Sequence, residues 1–425
     1  MDLGGILIYI SGFIIMASIY GIFSIGLNIH WGFTGLFNIG IAGFFAIGAY
    51  SSALITIEPP DPKLFEDYIF GGNLPEILGF LNLGIDLWFF FALLFAGLIC
   101  AIIAAPIALI TLRLREDYLG MAALGIAETI RLIFLNEAWL ANGGRGMYGI
   151  PKFLGDMVSP RYYDILYALI AVVILLVIYL TVQRIIKSPW GRVLKSIRED
   201  EIAATSLGKN VFSFKVQSFI LGAFIMGVGG AVFAHGFRFL DPFTFRPLLS
   251  TFIIWTMLMV GGSGNNRGAI AGAFIVWGVW STTQFLPGFL SSPDLRYFMV
   301  GLLIVVMLLF KPNGIIPETI EKRINADLSN NFGNLIQRIT SFIEKNCNQI
   351  VENKFNLHKE DEELLNLSKN KINEYHKFMN NLEIDKALKE VFELISETNV
   401  YIDNQAPWSL KKTDPKQILR FFLVN

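Results

Sequence analysis

Two charged residues stand in an otherwise apolar stretch of this sequence. Glu128 and Arg131 lie three positions apart in the segment 118–136, which is long and apolar enough to cross a membrane. Three-residue spacing puts both side chains on one face of a helix, where they can pair. Charges inside a bilayer are costly unless they are paired or face water, so we expect both to point into a helical bundle. They are either a structural ion pair or part of a solute path.

A second candidate site lies in the glycine-rich segment 32–50. Glycine lets helix backbones approach closely, and it also lets a membrane span unwind around a cavity. Asn38 places a polar side chain in the middle of this segment, two residues before Gly40. We therefore consider Asn38 and Gly40 as candidates for the lining of a solute path. Plain helix packing is the alternative explanation of the glycines.

A third candidate is the segment 191–210, in which charged and apolar residues alternate at helical spacing. This pattern predicts a short amphipathic helix that ends at Gly208. On composition alone, a helix of this kind lies on a surface of anionic membrane lipid. The charged residues that alternate with the apolar ones are Arg192, Lys195, Arg198, Glu199 and Glu201.

No spacing of residues predicts a metal or nucleotide site in this chain. Cys100 and Cys347 form neither a CxxC pair nor a zinc-ligand spacing, and two cysteines cannot build a disulfide framework. No GxxxxGK string followed by Ser or Thr occurs, so a P-loop that cradles phosphate is missing. We therefore expect no metal and no cofactor in this chain.

The elements that position these residues are predicted to be membrane spans. Hydrophobic residues make up 54% of the chain and charged residues only 16%, against roughly 25% charge in ordinary soluble domains. A span needs about 20 mostly apolar residues with its backbone hydrogen bonds closed internally. The sequence thus predicts an all-α, polytopic transmembrane bundle of about nine spans, at 6–27, 33–57, 87–111, 118–136, 162–182, 214–235, 249–262, 269–290 and 295–310.

The distribution of basic residues predicts the orientation of these spans. Seven Lys and Arg residues lie between Arg184 and Lys215, in the loop between the fifth and sixth spans. Basic residues resist translocation, so this loop is expected in the cytoplasm. Met1 would then lie outside the cell and the polar C-terminal tail inside. The first apolar run lacks a basic n-region and a cleavage site, which favours a retained helix over a signal peptide.

Seven motifs follow one another in the membrane part: GFTGLFNIGIAGFFAIGAY (32–50), LRLREDY (112–118), LGIAETIR (124–131), GGRGMYGIP (143–151), GRVLKSIREDEIAA (191–204), GGSG (261–264) and KPNGI (311–315). Taken together and in this order, they resemble the permease family of ABC-type importers for branched-chain amino acids. They span about residues 1–316, which we take as one domain. One departure is Ile41, where many relatives carry a polar residue such as His.

The resemblance implies a mechanism and a set of partners. The segment 191–210 would dock on a separate ATPase subunit, since its Glu-Ile-Ala-Ala run resembles the EAA loop of ABC permeases. ATP and Mg would bind to that ATPase. A second permease subunit, either a copy or a paralogue, and an extracytoplasmic solute-binding protein would complete an importer in the inner membrane. The implied solutes are branched-chain or related small amino acids, with urea or amides as neighbouring alternatives.

The polar tail has a different origin. After about Pro317 the hydropathy falls, and we take 317–330 as a linker and 331–425 as a helical segment. The motifs GNLIQR (333–338), ALKEVFELI (387–395) and NVYIDNQAPW (399–408) resemble the anticodon-binding domain of methionyl-tRNA synthetases, in an incomplete form. That resemblance implies tRNA contacts by Asn334, Arg338 and Trp408, because unstacked bases are read by hydrogen bonds and by stacking on planar side chains. The alternative is that these residues merely pack.

These two resemblances leave two hypotheses for the whole chain. The first is an importer permease, with the tail as an addition. The second is a membrane-tethered tRNA-binding protein or a non-catalytic synthetase fragment. Neither a HIGH nor a KMSKS-type motif occurs in the sequence, so aminoacylation is not expected.

Overall fold

The computed structural model describes residues 3–59, 70–79, 86–114, 116–155, 157–160, 162–285, 292–317, 332–346, 358–381 and 383–405. The chain divides into two compact units, Met1–Glu318 and Thr319–Asn425. Each unit is described by itself below. The described residues are almost all helical, as the sequence predicts.

The first unit contains thirteen α-helices in its described residues, together with one short 3₁₀ turn (Gly143–Arg145) and two two-residue strands. The helices are α1 (Leu3–Thr34), α2 (Ile41–Thr56), α3 (Leu74–Gly79), α4 (Leu87–Thr111), α5 (Glu116–Asn136), α6 (Ala138–Ala141), α7 (Tyr163–Lys187), α8 (Pro189–Glu199), α9 (Glu201–Ser206), α10 (Val211–Phe237), α11 (Pro247–Gly261), α12 (Asn266–Thr283) and α13 (Pro293–Phe310). The strands are β1 (Met147–Tyr148) and β2 (Phe239–Leu240), which pair antiparallel.

Five of these helices are long and apolar enough to cross a membrane: α1, α4, α5, α7 and α10. Shorter apolar helices add Ile41–Thr56, Ser250–Gly261 and Leu295–Phe310. Together with α12, they occupy the nine stretches that hydropathy selects. The predicted fold class, a polytopic helical membrane bundle, is confirmed.

The buried helix α10 lies at the centre of the bundle, where it packs against α1, α2 and α4. Small residues allow the close approach. A β-carbon added to Gly48 of α2 would lie 2.3 Å from the carbonyl oxygen of Gly227 in α10. Packing of this kind replaces the hydrophobic driving force that is missing between helices in lipid.

The start of the second predicted span is wrong. The prediction begins that span at residue 33, but α1 continues to Thr34 and α2 begins only at Ile41. Gly35, at φ +78°, ends α1 in the left-handed region that glycine adopts without strain. The chain then runs without regular structure from Gly35 to Gly40. Hydropathy does not detect this break because Leu36, Phe37 and Ile39 keep the non-helical residues apolar on average.

The second unit contains three described helices, α14 (Asn334–Asn346), α15 (Lys359–Asn380) and α16 (Ile384–Gln405). Helices α15 and α16 pack together, and a small apolar cluster includes Leu364 and Ile402. Lys371 donates hydrogen bonds to Glu390 and Glu393 at 2.6 and 2.5 Å, which raises the pKa of Lys371 above its usual value. This part of the fold is a helical tail, as predicted.

Candidate coupling surface and solute path

The segment 191–210 forms two helices rather than the single helix that its periodicity predicts. Helix α8 ends at Glu199, and Asp200 adopts an extended conformation at φ −155°. The Asp200 carboxylate accepts a hydrogen bond from the backbone N–H of Ala203 at 2.9 Å and so caps the start of α9. Gly208, at φ +75°, follows the end of α9 and marks the predicted end of the segment.

The two helices bury one apolar face and expose another. Leu194 and Ile197 of α8 are buried, and Ile197 clusters with Ala204 and Val211. Ile202 and Leu207, in contrast, are 80% and 77% exposed. Sequence reasoning missed this outward pair, although its signal is present in two large apolar residues that stand among charged and small neighbours.

The charged residues of α8 hold the end of α1. The Arg198 guanidinium donates to the backbone carbonyl of Gly32 and, at 3.1 Å, to the carboxylate of Glu199. The Lys195 ammonium lies 5.5 Å from the centre of the Phe33 ring. These contacts tie the α8–α9 segment to the end of α1 and to the break that follows it.

The remaining predicted coupling residues have other surroundings. Glu201 accepts a hydrogen bond from Lys215 of α10 at 2.5 Å. Arg192 and Glu199 are exposed on α8. Trp190, which the sequence analysis did not single out, donates to Gln217 of α10 at 2.8 Å. The segment is therefore attached to α1 and α10 while its outer surface stays open.

Asn38 is buried in the break between α1 and α2. Its side-chain oxygen accepts from the N–H of Gly40 at 2.7 Å, and its amide nitrogen lies 3.0 Å from Nδ1 of His30. An amide nitrogen can only donate, so His30 accepts at Nδ1 and donates from Nε2 to the carbonyl of Phe219 at 2.9 Å. The backbone carbonyl of Asn38 in turn accepts from the Trp255 indole at 3.0 Å. The network joins the break to α1, α10 and α11.

Gly40 lies at the start of α2, where it meets α5. A β-carbon at this position would be 2.8 Å from the carbonyl oxygen of Ala123, so only glycine fits without displacing the backbone. Asn38 and Gly40 are thus both engaged in contacts within the chain. Their geometry explains how the break is held at the α5 contact.

Glu128 and Arg131 form an ion pair on α5. The guanidinium donates from Nε to one carboxylate oxygen at 2.9 Å and from Nη2 to the other at 2.5 Å. The Arg131 side chain is 11% exposed and that of Glu128 is 40% exposed. The pair expected from the three-residue spacing is present, and its carboxylate end reaches the surface of the subunit.

The structure does not describe how the three predicted anticodon residues lie relative to one another. Asn334 and Arg338 lie on α14, and the positions of their side chains are not described. Trp408 falls outside the described residues. A tRNA-binding surface on the tail therefore stays a prediction.

Comparison with known proteins gives two family matches along the chain. Residues 9–308 match the family of the branched-chain amino acid transport system permease component. Residues 352–421 match the anticodon-binding domain of methionyl tRNA ligase. No solved structure matches the chain.

Curated relatives fall into the same two groups. The high-affinity branched-chain amino acid transport system permease protein LivM of Salmonella typhimurium is 28% identical over 326 residues, covering 72% of this chain and 69% of the relative. The probable LivM of Methanocaldococcus jannaschii is 27% identical and is covered over 93% of its length. The methionine–tRNA ligase of Rickettsia bellii is 43% identical over 104 residues, but this chain spans only 20% of that ligase.

The permease match covers most of the chain and coincides with the helical membrane unit described above. The tail match covers the described helices α15 and α16. This multi-pass membrane protein therefore carries a C-terminal segment related to methionyl tRNA ligases, and it belongs to the family of branched-chain amino acid transport permeases.

Proposed function

We propose that this chain is the solute-conducting permease subunit of an ATP-driven importer in the inner membrane, and that its solutes are branched-chain or related small amino acids. The observation that carries the proposal is the family match over residues 9–308, which spans nearly the whole membrane unit. The names of the LivM relatives supply the solute class. Met1 lies outside the cell and the tail inside in this proposal, because the basic residues concentrate around α8 and α9.

In this proposal, the α8–α9 segment couples the permease to a separate ATPase subunit that binds ATP and Mg. The exposed Ile202 and Leu207 side chains offer an apolar contact to such a partner. Movement of the segment would reach the bundle through Arg198, which holds the end of α1, and through Lys215 of α10, which pairs with Glu201. Membrane lipid, rather than a protein, is the other surface on which this amphipathic segment can lie.

A second permease subunit would cover the outer face of α5. A carboxylate that is 40% exposed on a membrane-spanning helix is costly against lipid, so a protein or a water-filled path is the favoured neighbour. The same face exposes Tyr118, Met121 and Leu132. At Gly125 no described atom lies within 4 Å of an added β-carbon, which leaves room for a close helix. The Glu128–Arg131 pair would then border the solute path between the two subunits.

An extracytoplasmic solute-binding protein would deliver the solute to the opposite end of the bundle. Alternating access would follow, with ATP-driven closure of the ATPases changing the relative positions of the two permease subunits. The chain itself supplies the path and the coupling contacts. Urea and amides are the neighbouring solute classes against which branched-chain amino acids must be tested.

Assembly with the ATPase tests the coupling surface. The double variant Ile202→Asp, Leu207→Asp should lose co-purification with the ATPase subunit, because it replaces the exposed apolar contact by charge. Phe243→Asp, at an exposed apolar residue distant from α8 and α9, is the matched control and should retain the ATPase. Normal co-purification of the double variant would contradict this placement of the contact.

A second candidate function, tRNA binding by the tail, is favoured by the family match over residues 352–421. The matched family is a binding domain only. The alignment with the Rickettsia bellii ligase covers about a fifth of the length of that ligase. Retention of methionine tRNA, but not of another tRNA, by the full-length purified chain would support it. Equal binding of both tRNAs would contradict this second function.

A further inference from the structure

A cavity of about 400 Å³ lies at the outer ends of α2 and α3. One wall consists of the last residues of α2 and those that follow it, and a second consists of the start of α3. The third wall is the GGRGMYGIP motif, to which the permease proposal gives no role. The described lining residues are Thr56, Ile57, Glu58, Asn73, Pro75, Asn142, Gly146, Met147, Tyr148, Gly149 and Pro151.

The cavity and the coupling surface are at opposite ends of α2. Gly35, in the break before α2, lies beside Arg198, since an added β-carbon would be 3.5 Å from the Arg198 side chain. Thr56 is fifteen residues after Ile41, which corresponds to about 22 Å along the helix at 1.5 Å per residue. In the proposed orientation, the cavity therefore opens to the outside of the cell.

The glycine-rich wall is held in place by hydrogen bonds. Asn142, in the left-handed region at φ 60°, donates from its side chain to the carbonyl of Gly146 at 2.8 Å. The Arg238 guanidinium donates to the carbonyl of Ile150 at 3.1 Å, and His235 lies 3.1 Å from the carbonyl of Pro151. Pairing of β1 with β2 fixes the residues between these contacts. The wall is thus a preformed surface rather than a loose loop.

The described lining combines one carboxylate with apolar surface. Glu58 is its one ionisable acid, and no basic residue is among the described lining residues. Within the described part of the chain, no hydrogen bond or ion pair engages the Glu58 carboxylate. Ile57, Met147 and the two prolines supply apolar surface. A small concave site with one carboxylate and aliphatic walls suits a primary ammonium group attached to an aliphatic body.

Charged residues of both signs flank the lining. Asn73 donates to the carboxylate of Glu76, which places a second acidic residue beside the lining. On the basic side, Arg145 precedes the lining residue Gly146 and Lys152 follows the lining residue Pro151. Lys152 lies over the Tyr163 ring at 4.6 Å, and Arg238 is bonded to the wall. Among the described lining residues, Glu58 is thus the one that brings a charged group to the cavity.

We propose that this cavity binds the ammonium end of an aliphatic amino acid on the outer side of the permease, with Glu58 as the counter-ion. The inference rests on the proposed function for its solute class. It goes beyond that function in assigning a site, a residue and the part of the solute that is recognised. Binding here would hold the solute at the mouth of the bundle before it enters the membrane path.

Uptake kinetics of the assembled importer test the assignment. Glu58→Gln keeps the size of the side chain and removes its charge, so it should raise KM for leucine about tenfold, as expected for the loss of one charged hydrogen bond, while kcat stays unchanged. Glu137→Gln, at an exposed residue of the same end that is not part of the lining, should leave both constants unaltered. Equal KM values for wild type and Glu58→Gln would overturn the proposal.

Binding to the full-length purified chain separates this inference from the function on which it rests. The probes are 3-methylbutylamine, which keeps the ammonium group, and 4-methylpentanoate, which keeps only the carboxylate. The amine should bind to wild type and to Glu137→Gln but not to Glu58→Gln, and the acid should bind to none of them. If the importer transported no amino acid but the amine bound in this pattern, the function would fail and the site would stand.

Two other outcomes would overturn the site. One is equal binding of the amine and the acid, because the carboxylate would then play no part. The other is a loss of affinity for the solute-binding protein in Glu58→Gln with unchanged amine binding, because Glu58 would then belong to a protein contact. Equal thermal stability of the two Gln variants shows that the comparison concerns binding and not folding.

Discussion

At the scale of single residues, the Glu128–Arg131 pair shows how a charge is kept within a membrane span. The two parallel hydrogen bonds satisfy both carboxylate oxygens, at 2.9 and 2.5 Å. A variant that lacks one partner keeps the charge of the other partner without compensation. A variant that lacks both partners keeps no uncompensated charge. The loss of stability in the double variant should therefore be smaller than the sum of the losses in the two single variants.

We predict that Arg131→Leu lowers the stability of the permease by about 2–3 kcal/mol, the order of the cost of an uncompensated charge in a membrane helix. The double variant Glu128→Gln, Arg131→Leu should recover most of that loss. Thermal unfolding in detergent and the amount of chain in the membrane measure both effects, with Thr129→Val on the same helix as control. Additive losses in the double variant would mean that the pair contributes no coupling energy.

Residue spacing predicted this pair because its partners are three positions apart on one helix. Arg198 and Gly32 are joined by a hydrogen bond across 166 positions, and no local pattern points to that contact. The same holds for Asn38 and Trp255, which meet only because α11 packs near the break. Local pairs were predictable, and long-range contacts at the candidate site were not.

At the scale of helices, the α8–α9 segment is attached to two different spans. Arg198 reaches the end of α1, and Glu201 reaches Lys215 of α10. Both contacts lie on the surface of the bundle, so they add little to its stability. They are nevertheless the side-chain links through which a displacement of the segment would act on the spans.

We predict that the double variant Arg198→Ala, Glu201→Ala lowers ATP-dependent uptake at least about tenfold, the effect of about 1.4 kcal/mol, while membrane insertion and ATPase binding persist. ATP hydrolysis should continue without transport, because the partner subunit is intact but no longer linked to α1 and α10. Lys209→Ala, at an exposed residue of the same loop, is the control. Normal transport by the double variant would exclude the coupling role of these contacts.

Hydropathy predicted the existence of the spans but not their interruptions. The break at Gly35–Gly40 is built from a glycine in the left-handed region and from the Asn38 hydrogen bonds. A hydropathy average does not reveal either, because Leu36, Phe37 and Ile39 keep the stretch apolar. The division between α8 and α9 follows from Asp200, whose carboxylate caps the second helix. An aspartate three residues before a helical alanine is a recognisable capping signal, but amphipathic periodicity continues across it.

At the scale of the whole molecule, the chain combines two units with different relatives. The membrane unit ends soon after the KPNGI motif, where the N–H of Ile315 donates to the carbonyl of Val260 at 2.9 Å. This contact ties the motif back to α11 within the first unit. The fall in hydropathy after about Pro317 predicts a division there, and the two family matches lie on either side of it.

We predict that deletion of residues after Pro317 leaves ATP-dependent uptake close to the wild-type rate. The reason is that the packed core of the membrane unit and the α8–α9 segment lie entirely before that point. Uptake by the truncated and the full-length chain, each normalised to the amount inserted, measures the effect. A truncated chain that inserts normally but loses most of its uptake would show that the tail is part of the transporter.

The most direct test of the central claim is uptake by proteoliposomes that contain this chain with its second permease subunit, its ATPase and its solute-binding protein. The account predicts that leucine accumulates only when ATP is supplied to the ATPase side, and that isoleucine and valine compete while urea does not. A complex that assembles and hydrolyses ATP but accumulates no branched-chain amino acid would contradict the account.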